Sequence, residues 1–146
     1  MTRHDPANRL FRRGRAGATV LEMAVALMVL LYLSFGTVEF GYFFFVKNAA
    51  QAAAREGARV AITPGSTNTD VQNSVNASLT AAGLRSADFA FNVKVNGAIA
   101  DASTAASGEP IEVTVSGTWQ TVGMRPLGLI GATKTVLGGA TMRREG

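Results

Sequence analysis

The run Met23-Ala24-Val25-Ala26-Leu27-Met28-Val29-Leu30-Leu31-Tyr32-Leu33-Ser34-Phe35-Gly36-Thr37-Val38 holds sixteen residues and no charge. Glu39 interrupts it, residues 40–46 are apolar or aromatic again, and Lys47 closes the stretch. At 1.5 Å per residue, residues 23–46 extend roughly 36 Å as a helix, enough for a hydrocarbon core of about 30 Å with some tilt. The run is apolar on every face, which separates it from the one-sided helix of a soluble domain. A transmembrane helix over 18–47 follows. Glu39 falls roughly 32 Å along that helix from Ala18, at the far interface, where it is expected to reach water. Tyr42, Phe43, Phe44 and Phe45 at the same level fit an aromatic belt.

Charge is distributed to match. Residues 1–17 carry Arg3, Arg9, Arg12, Arg13 and Arg15 against Asp5, and so hold the whole net charge of +4. The remainder is neutral. A short basic leader beside an apolar helix is the cytoplasmic flank of a single-pass protein under the positive-inside rule. The chain past the span is then periplasmic, and nucleic acid is not an expected partner.

Several chemistries are excluded. The chain has no cysteine, and its one histidine is His4, in the leader. Without imidazole or thiolate in the remaining chain, Ser-His-Asp and Cys-His catalysis and the usual zinc sites have no ligands or bases to work with. No phosphate-binding glycine loop and no metal-ligand spacing occurs. No cofactor and no enzyme activity are expected.

Beyond the span the helix is expected to continue through 48–62. Asn48, Gln51, Arg55 and Arg59 form a polar stripe, and Ala49, Ala53 and Gly57 form a ridge of small residues at four-residue spacing. Such a ridge packs on the protein's own domain or on a neighbouring helix, or else belongs to a spacer. Pro64-Gly65-Ser66 ends it. Residues 63–146 then read as an α+β domain. Thr69-Asp70-Val71-Gln72 has the form of a capping box, with Thr69 as N-cap. Val71, Val75 and Leu79 share one helical face, and Gly83 supplies the stop.

From Phe89 the period becomes two. Phe89, Phe91, Val93 and Val95 alternate with polar or small residues up to the turn pair Asn96-Gly97. Ile111, Val113 and Val115 repeat the pattern, with a bulge expected at Gly117 and Trp119 continuing the apolar side. Residues 98–110 read as a loop, and a third strand falls within 134–144, its register obscured by Gly138-Gly139. Residues 124–131, Met-Arg-Pro-Leu-Gly-Leu-Ile-Gly, are apolar but too short to span a bilayer; they form either a short helix over the sheet or a flap resting on the membrane. The expected architecture is one helix on an antiparallel sheet of three or more strands. Its core comprises Val71, Val75, Leu79, Phe89, Phe91, Val93, Ile111, Val113, Val115 and Trp119.

The stretch Arg12-Arg13-Gly14-Arg15-Ala16-Gly17-Ala18-Thr19-Val20-Leu21-Glu22 resembles the cleavage site of type IV prepilins. That resemblance implies cutting by a prepilin peptidase between Gly17 and Ala18, which makes Glu22 the fifth residue of the product. Ala18 stands where the best-known pilins have phenylalanine. Val38-Glu39-Phe40-Gly41, Ala53-Ala54-Arg55-Glu56-Gly57-Ala58-Arg59 and the tail Ala140-Thr141-Met142-Arg143-Arg144-Glu145 are similar to the TadE-like minor pseudopilins. These belong to the Tad (tight adherence, Flp-type) pilus machinery. The resemblance is dense over 14–61 and thin over 62–133. It implies a bacterial inner-membrane subunit needed for pilus assembly and cell adhesion. Its implied partners are the peptidase, other pilins and pseudopilins, Tad inner-membrane assembly proteins and membrane lipid.

Independently of any family, a carboxylate well inside the bilayer costs about 2.5–3.5 kcal/mol and calls for a partner. The ammonium freed at Ala18 lies on the same helical face as Glu22, in the same chain or a neighbour's. Alternatively, Glu22 rests at the headgroups, favoured by the helix N-terminus. Glu39, Arg55, Glu56, Gly57 and Arg59 are candidate subunit contacts, against the plainer reading of the charged members as a solvated face. Two other organisations compete: an uncleaved signal-anchored periplasmic binding or sensor domain, and a secreted protein cut by signal peptidase near Ala49-Ala50-Gln51-Ala52.

Overall fold

The computed structural model describes residues 7–145, with side chains from Gly17 onward. The first six residues of the expected leader, His4 among them, lie outside the described residues, as do the side-chain contacts of the rest of it. The chain divides into two compact units, Met1–Val38 and Glu39–Gly146.

A single helix, α1 (Ala7–Ala61), contributes to both. In the first unit its described large side chains are exposed. Val20, Leu21, Met23, Val25, Leu27, Met28, Leu30 and Leu33 are all more than half exposed. Two of its hydroxyls are satisfied locally, Ser34 donating to the Leu30 carbonyl at 2.8 Å and Thr37 to that of Leu33 at 2.9 Å. In hydrocarbon this is how such groups persist, since no water is there to take the bond. Residues Gly17–Ala61 are long and apolar enough to cross a membrane, and their most apolar window is wholly exposed.

The second unit is a four-stranded antiparallel sheet covered on one face by helices. After α1 come α2 (Asn68–Ala81), β1 (Ala90–Val95), β2 (Ala98–Ile99), β3 (Pro110–Thr118), the one-turn α3 (Trp119–Val122) and β4 (Thr135–Arg143). The strand order is β2-β1-β3-β4. Asn96 and Gly97 both take positive φ, 51° and 85°, and make the tight turn that pairs Val95 with Ala98. That pairing corrects the expectation of a loop throughout 98–110. β2 is two residues long, too short for periodicity to reveal.

The sheet is packed by α2, as expected, and by the extension of α1. The face of α1 bearing Val46, Ala50, Ala53, Ala54, Gly57, Ala58 and Ala61 is buried in the same core as Val71, Val75 and Leu79 of α2 and Val93, Ile111, Val113 and Val115 of the sheet. A Cβ placed on Gly57 would lie 2.7 Å from Val75 Cγ2 and 3.3 Å from Val113 Cγ1. The small-residue ridge therefore serves the protein's own core, centred one residue away from Ala49, which is only partly buried. Phe89 and Phe91 pack against the core without being fully buried.

The N-cap of α2 lies two residues earlier than expected. Thr67 is the N-cap: its Oγ1 accepts from the Asp70 amide, and the Asp70 carboxylate accepts from the Thr67 amide at 2.9 Å. An aspartate at the third helical position supplies the reciprocal bond, so the box on Thr67 wins over the one on Thr69. At the other end Gly83 (φ 77°) and Leu84 return their amides to Thr80 and Leu79 at 2.9 and 3.0 Å, closing a Schellman motif.

The strand around Gly117 pairs regularly with Val136, so the expected bulge is absent. The glycine is there for space, because a Cβ would come within 2.9 Å of Val122 Cγ1 and 3.1 Å of Phe89 Cδ1. Gly138-Gly139 likewise does not break β4. Gly138 lies under α1, where a Cβ would meet the Ala50 backbone at 2.4 Å, and the Gln51 carboxamide bonds both the N–H and the C=O of Gly139. Gln51 thus closes part of the free edge of β4 as a neighbouring strand would.

Candidate functional site

The residues singled out by sequence all lie on α1, and the structure sorts them by environment. Gly17, Ala18 and Glu22 are exposed in the first unit, with Val20, Leu21 and Met23 about two-thirds exposed around them. Positions 18 and 22 are one turn apart on a helix, so groups there face the same side about 5–6 Å apart at Cβ. A carboxylate among exposed apolar side chains can hold a cation, the new N-terminal ammonium above all if the chain is cut before Ala18.

Glu39 behaves differently. The expectation that it reaches water fails: its side chain is fully buried. Residues 124–131 fold over it, and its carboxylate accepts from the amides of Leu127 at 3.2 Å and Ile130 at 2.8 Å. The backbone N–H groups of Gly128 and Leu129 also face it. Gly128, at φ 66°, provides the left-handed turn that lets successive amides converge. Residues 124–131 are thus not a helix. They are a cradle for one carboxylate, formed 88 and more residues from it in sequence.

Beside this cradle the aromatic belt divides. Tyr42 and Phe43 turn onto the fully buried Trp119, with ring centroids 6.1 and 5.2 Å apart, while Phe44 and Phe45 stay exposed. Trp119 therefore does not extend β3; it opens α3 and docks this end of the sheet on α1.

Further along, Glu56 and Arg59 form an ion pair, with two guanidinium bonds to the carboxylate. The Arg59 side chain holds the Glu56 carboxyl below its ordinary range. Both are solvent-accessible, so the pair adds little to stability. Gly57 is committed to the core, and Arg55 is exposed. What this turn leaves accessible is thus Arg55 with the Glu56–Arg59 pair.

Among the described residues no group of three or more His, Cys, Asp or Glu is placed to hold a metal ion. A cleft of about 380 Å³ between α2 and β1 is lined by Gln72, Val75, Asn76, Leu79, Phe89 and Phe91 among others, and no carboxylate or cation lines it. Sequence reasoning missed the carboxylate–amide cradle and the Gln51–Gly139 edge closure. The paired glycines of β4 were the one available signal for the second.

No curated protein and no solved structure matches the chain. The model of the TadE-like protein family does match, over residues 17–59. The matched stretch, Gly17 through Arg59, is similar to that family and holds Glu22, Glu39 and the Arg55–Arg59 turn.

Proposed function

We propose that this protein is a minor pseudopilin of a Tad-type pilus, anchored in the bacterial inner membrane by α1 and required for pilus assembly and adhesion. The observation that carries the reading is the extent of the TadE-like match. It starts at Gly17, the residue read from sequence as the last before a prepilin-type cut, and runs through a helix whose most apolar stretch is exposed. On this reading a prepilin peptidase cuts between Gly17 and Ala18. The ammonium released at Ala18 pairs with Glu22, its own or that of a neighbouring subunit. Pairing offsets the cost of about 2.5–3.5 kcal/mol of holding a carboxylate in the bilayer, so it favours bringing subunits side by side. The basic leader keeps the N-terminal side in the cytoplasm, and the α+β domain is periplasmic. Other pilins, pseudopilins and the Tad inner-membrane assembly proteins are its partners.

The test is the N-terminal sequence of the protein recovered from membranes, with the prepilin peptidase present and deleted. Ala18 at the terminus, only when the peptidase is present, is the expected result. Met1 or Thr2 in both strains would make the protein an uncleaved signal-anchored binding or sensor domain. A terminus near Ala52 would make it a secreted protein.

A further inference from the structure

We propose that residues 124–131 are a lipid-contacting surface: Met124 and Leu129 enter the membrane interface beside α1, and Arg125 faces lipid phosphate. The inference rests on the membrane reading of α1 and adds a second point of attachment for the domain.

Three observations lead there. Residues 124–131 are tied by hydrogen bonds to Glu39, which sits inside the apolar stretch of α1 between Val38 and Phe40. The tied segment therefore lies at the level of that stretch, beside side chains read as the outer end of the span. Next, it presents apolar side chains outward, Met124 being 53% and Leu129 55% exposed, alongside Phe40, Phe44 and Phe45 of the adjoining helix. Exposed apolar surface continuous with a membrane helix marks a bilayer contact. Finally, residues 113–144 contain no Asp or Glu and the Glu39 carboxylate they cover is fully buried, so the segment meets anionic headgroups with Arg125 and nearby Lys134.

The Glu39 cradle explains why irregular backbone tolerates that position. Amide N–H groups entering an apolar medium unpaired are costly, and those of Leu127 and Ile130 are already bonded to the carboxylate. The carboxylate in turn is satisfied without water. Each group removes the obstacle to placing the other near lipid.

The chain has no cysteine, so single cysteines can carry an environment-sensitive NBD fluorophore on the full-length protein. Four variants are compared in vesicles of phosphatidylethanolamine and phosphatidylglycerol, with and without shallow doxyl-labelled lipid: Met124→Cys, Leu129→Cys, Leu31→Cys within the span, and Ser107→Cys. Ser107 adjoins Gly108, which bonds Arg144, and Glu145 bonds Ile62 at the other end of α1, roughly 35 Å of helix from Glu39. The expected result is blue-shifted emission and doxyl quenching at 124 and 129, with neither at 107. Emission at 129 matching that at 107 while 31 is quenched overturns the proposal and leaves the membrane reading intact. No quenching at 31 overturns both. A blue shift at 129 that ignores doxyl lipid and grows with the protein-to-lipid ratio means that a second copy covers the surface, and also overturns it.

Discussion

Gly138 and Gly139 are adjacent in one strand, yet alanine at the two positions should have opposite consequences. At Gly138 a Cβ would stand 2.4 Å from the carbonyl carbon and oxygen of Ala50 and 2.5 Å from the Gln51 amide nitrogen. These are backbone atoms of α1 and cannot swing aside, so the helix must lift from β4. Lifting it strains the packing of Ala50, Ala53 and Ala54 and both bonds of Gln51 to Gly139. Overpacking costs about 1–3 kcal/mol, and an obstacle made of backbone belongs at the upper end. At Gly139 the nearest atom to a new Cβ is Thr114 Cγ2 at 3.7 Å, an ordinary contact, and φ is not positive. Alanine there also restricts the unfolded chain, so its net effect should stay within about 1 kcal/mol of neutral. For a unit the size of Glu39–Gly146, a loss of about 3 kcal/mol lowers the melting temperature by roughly 10–20 °C. Trp119 is the only tryptophan and is fully buried against Tyr42 and Phe43. Its fluorescence in the detergent-solubilised protein therefore follows melting of this unit without interference from the membrane helix. If Gly138→Ala melts with the wild type, or falls no further than Gly139→Ala, the close approach of α1 to β4 is refuted.

Three further outcomes follow from the same geometry and from the proposed function. Glu22→Val should give a protein that inserts and folds normally but does not support pili, when strains are compared at matched protein levels; normal pili from the mutant strain would remove Glu22 from assembly. A reporter active only in the periplasm, fused after Gly146, should be active, and activity of a cytoplasmic reporter at the same place would invert the topology. The Asp70 carboxyl is held below its ordinary range, first by the Thr67 amide and then by the Thr67 hydroxyl. A lowered folded-state pKa means that its contribution is present at neutral pH and is lost as pH falls through that lowered value. Asp70→Asn should accordingly flatten the acid limb of the Trp119 unfolding curve, and an unchanged acid limb would show that the capping box carries no such linkage.

Local chemistry was legible in the sequence wherever one element decided its own form. The four-residue spacing of Val71, Val75 and Leu79, the stop at Gly83, the alternation through Val93 and Val113, and the Asn96-Gly97 turn are each set by neighbours within a few residues. What escaped was nonlocal. Alanines at 50, 53, 54 and 58 read as a small-residue ridge with its partner unspecified, because a methyl group signals permission to approach rather than what approaches. The displaced cap at Thr67 has a related cause. Asn68 uses its carboxamide on the backbone of Ala100 and Ala102, which holds the start of α2 against a loop more than thirty residues away. Residues 124–131 read as a short helix over the sheet or a flap on the membrane, because apolar composition does not reveal that their amides hold a carboxylate. At the candidate site, Gly17, Ala18 and Glu22 lie exposed on the apolar helix. Of the other candidates, Glu39 and Gly57 are occupied within the fold.

The two carboxylates of the apolar stretch, Glu22 and Glu39, therefore pose one physical problem with two solutions. Each would be costly in hydrocarbon if left alone. Glu39 is satisfied inside its own chain by backbone amides that exist only when residues 124–131 are folded over it, so its contribution is to folding and to seating the domain. Glu22 is exposed, in a unit whose large apolar side chains are exposed with it. In the proposed function its counter-charge comes into being only after cleavage. The same substitution at the two sites should then separate cleanly. At Glu39 it leaves the amides of Leu127 and Ile130 without an acceptor and lowers the stability read by Trp119. At Glu22 it leaves that stability alone and is felt in assembly.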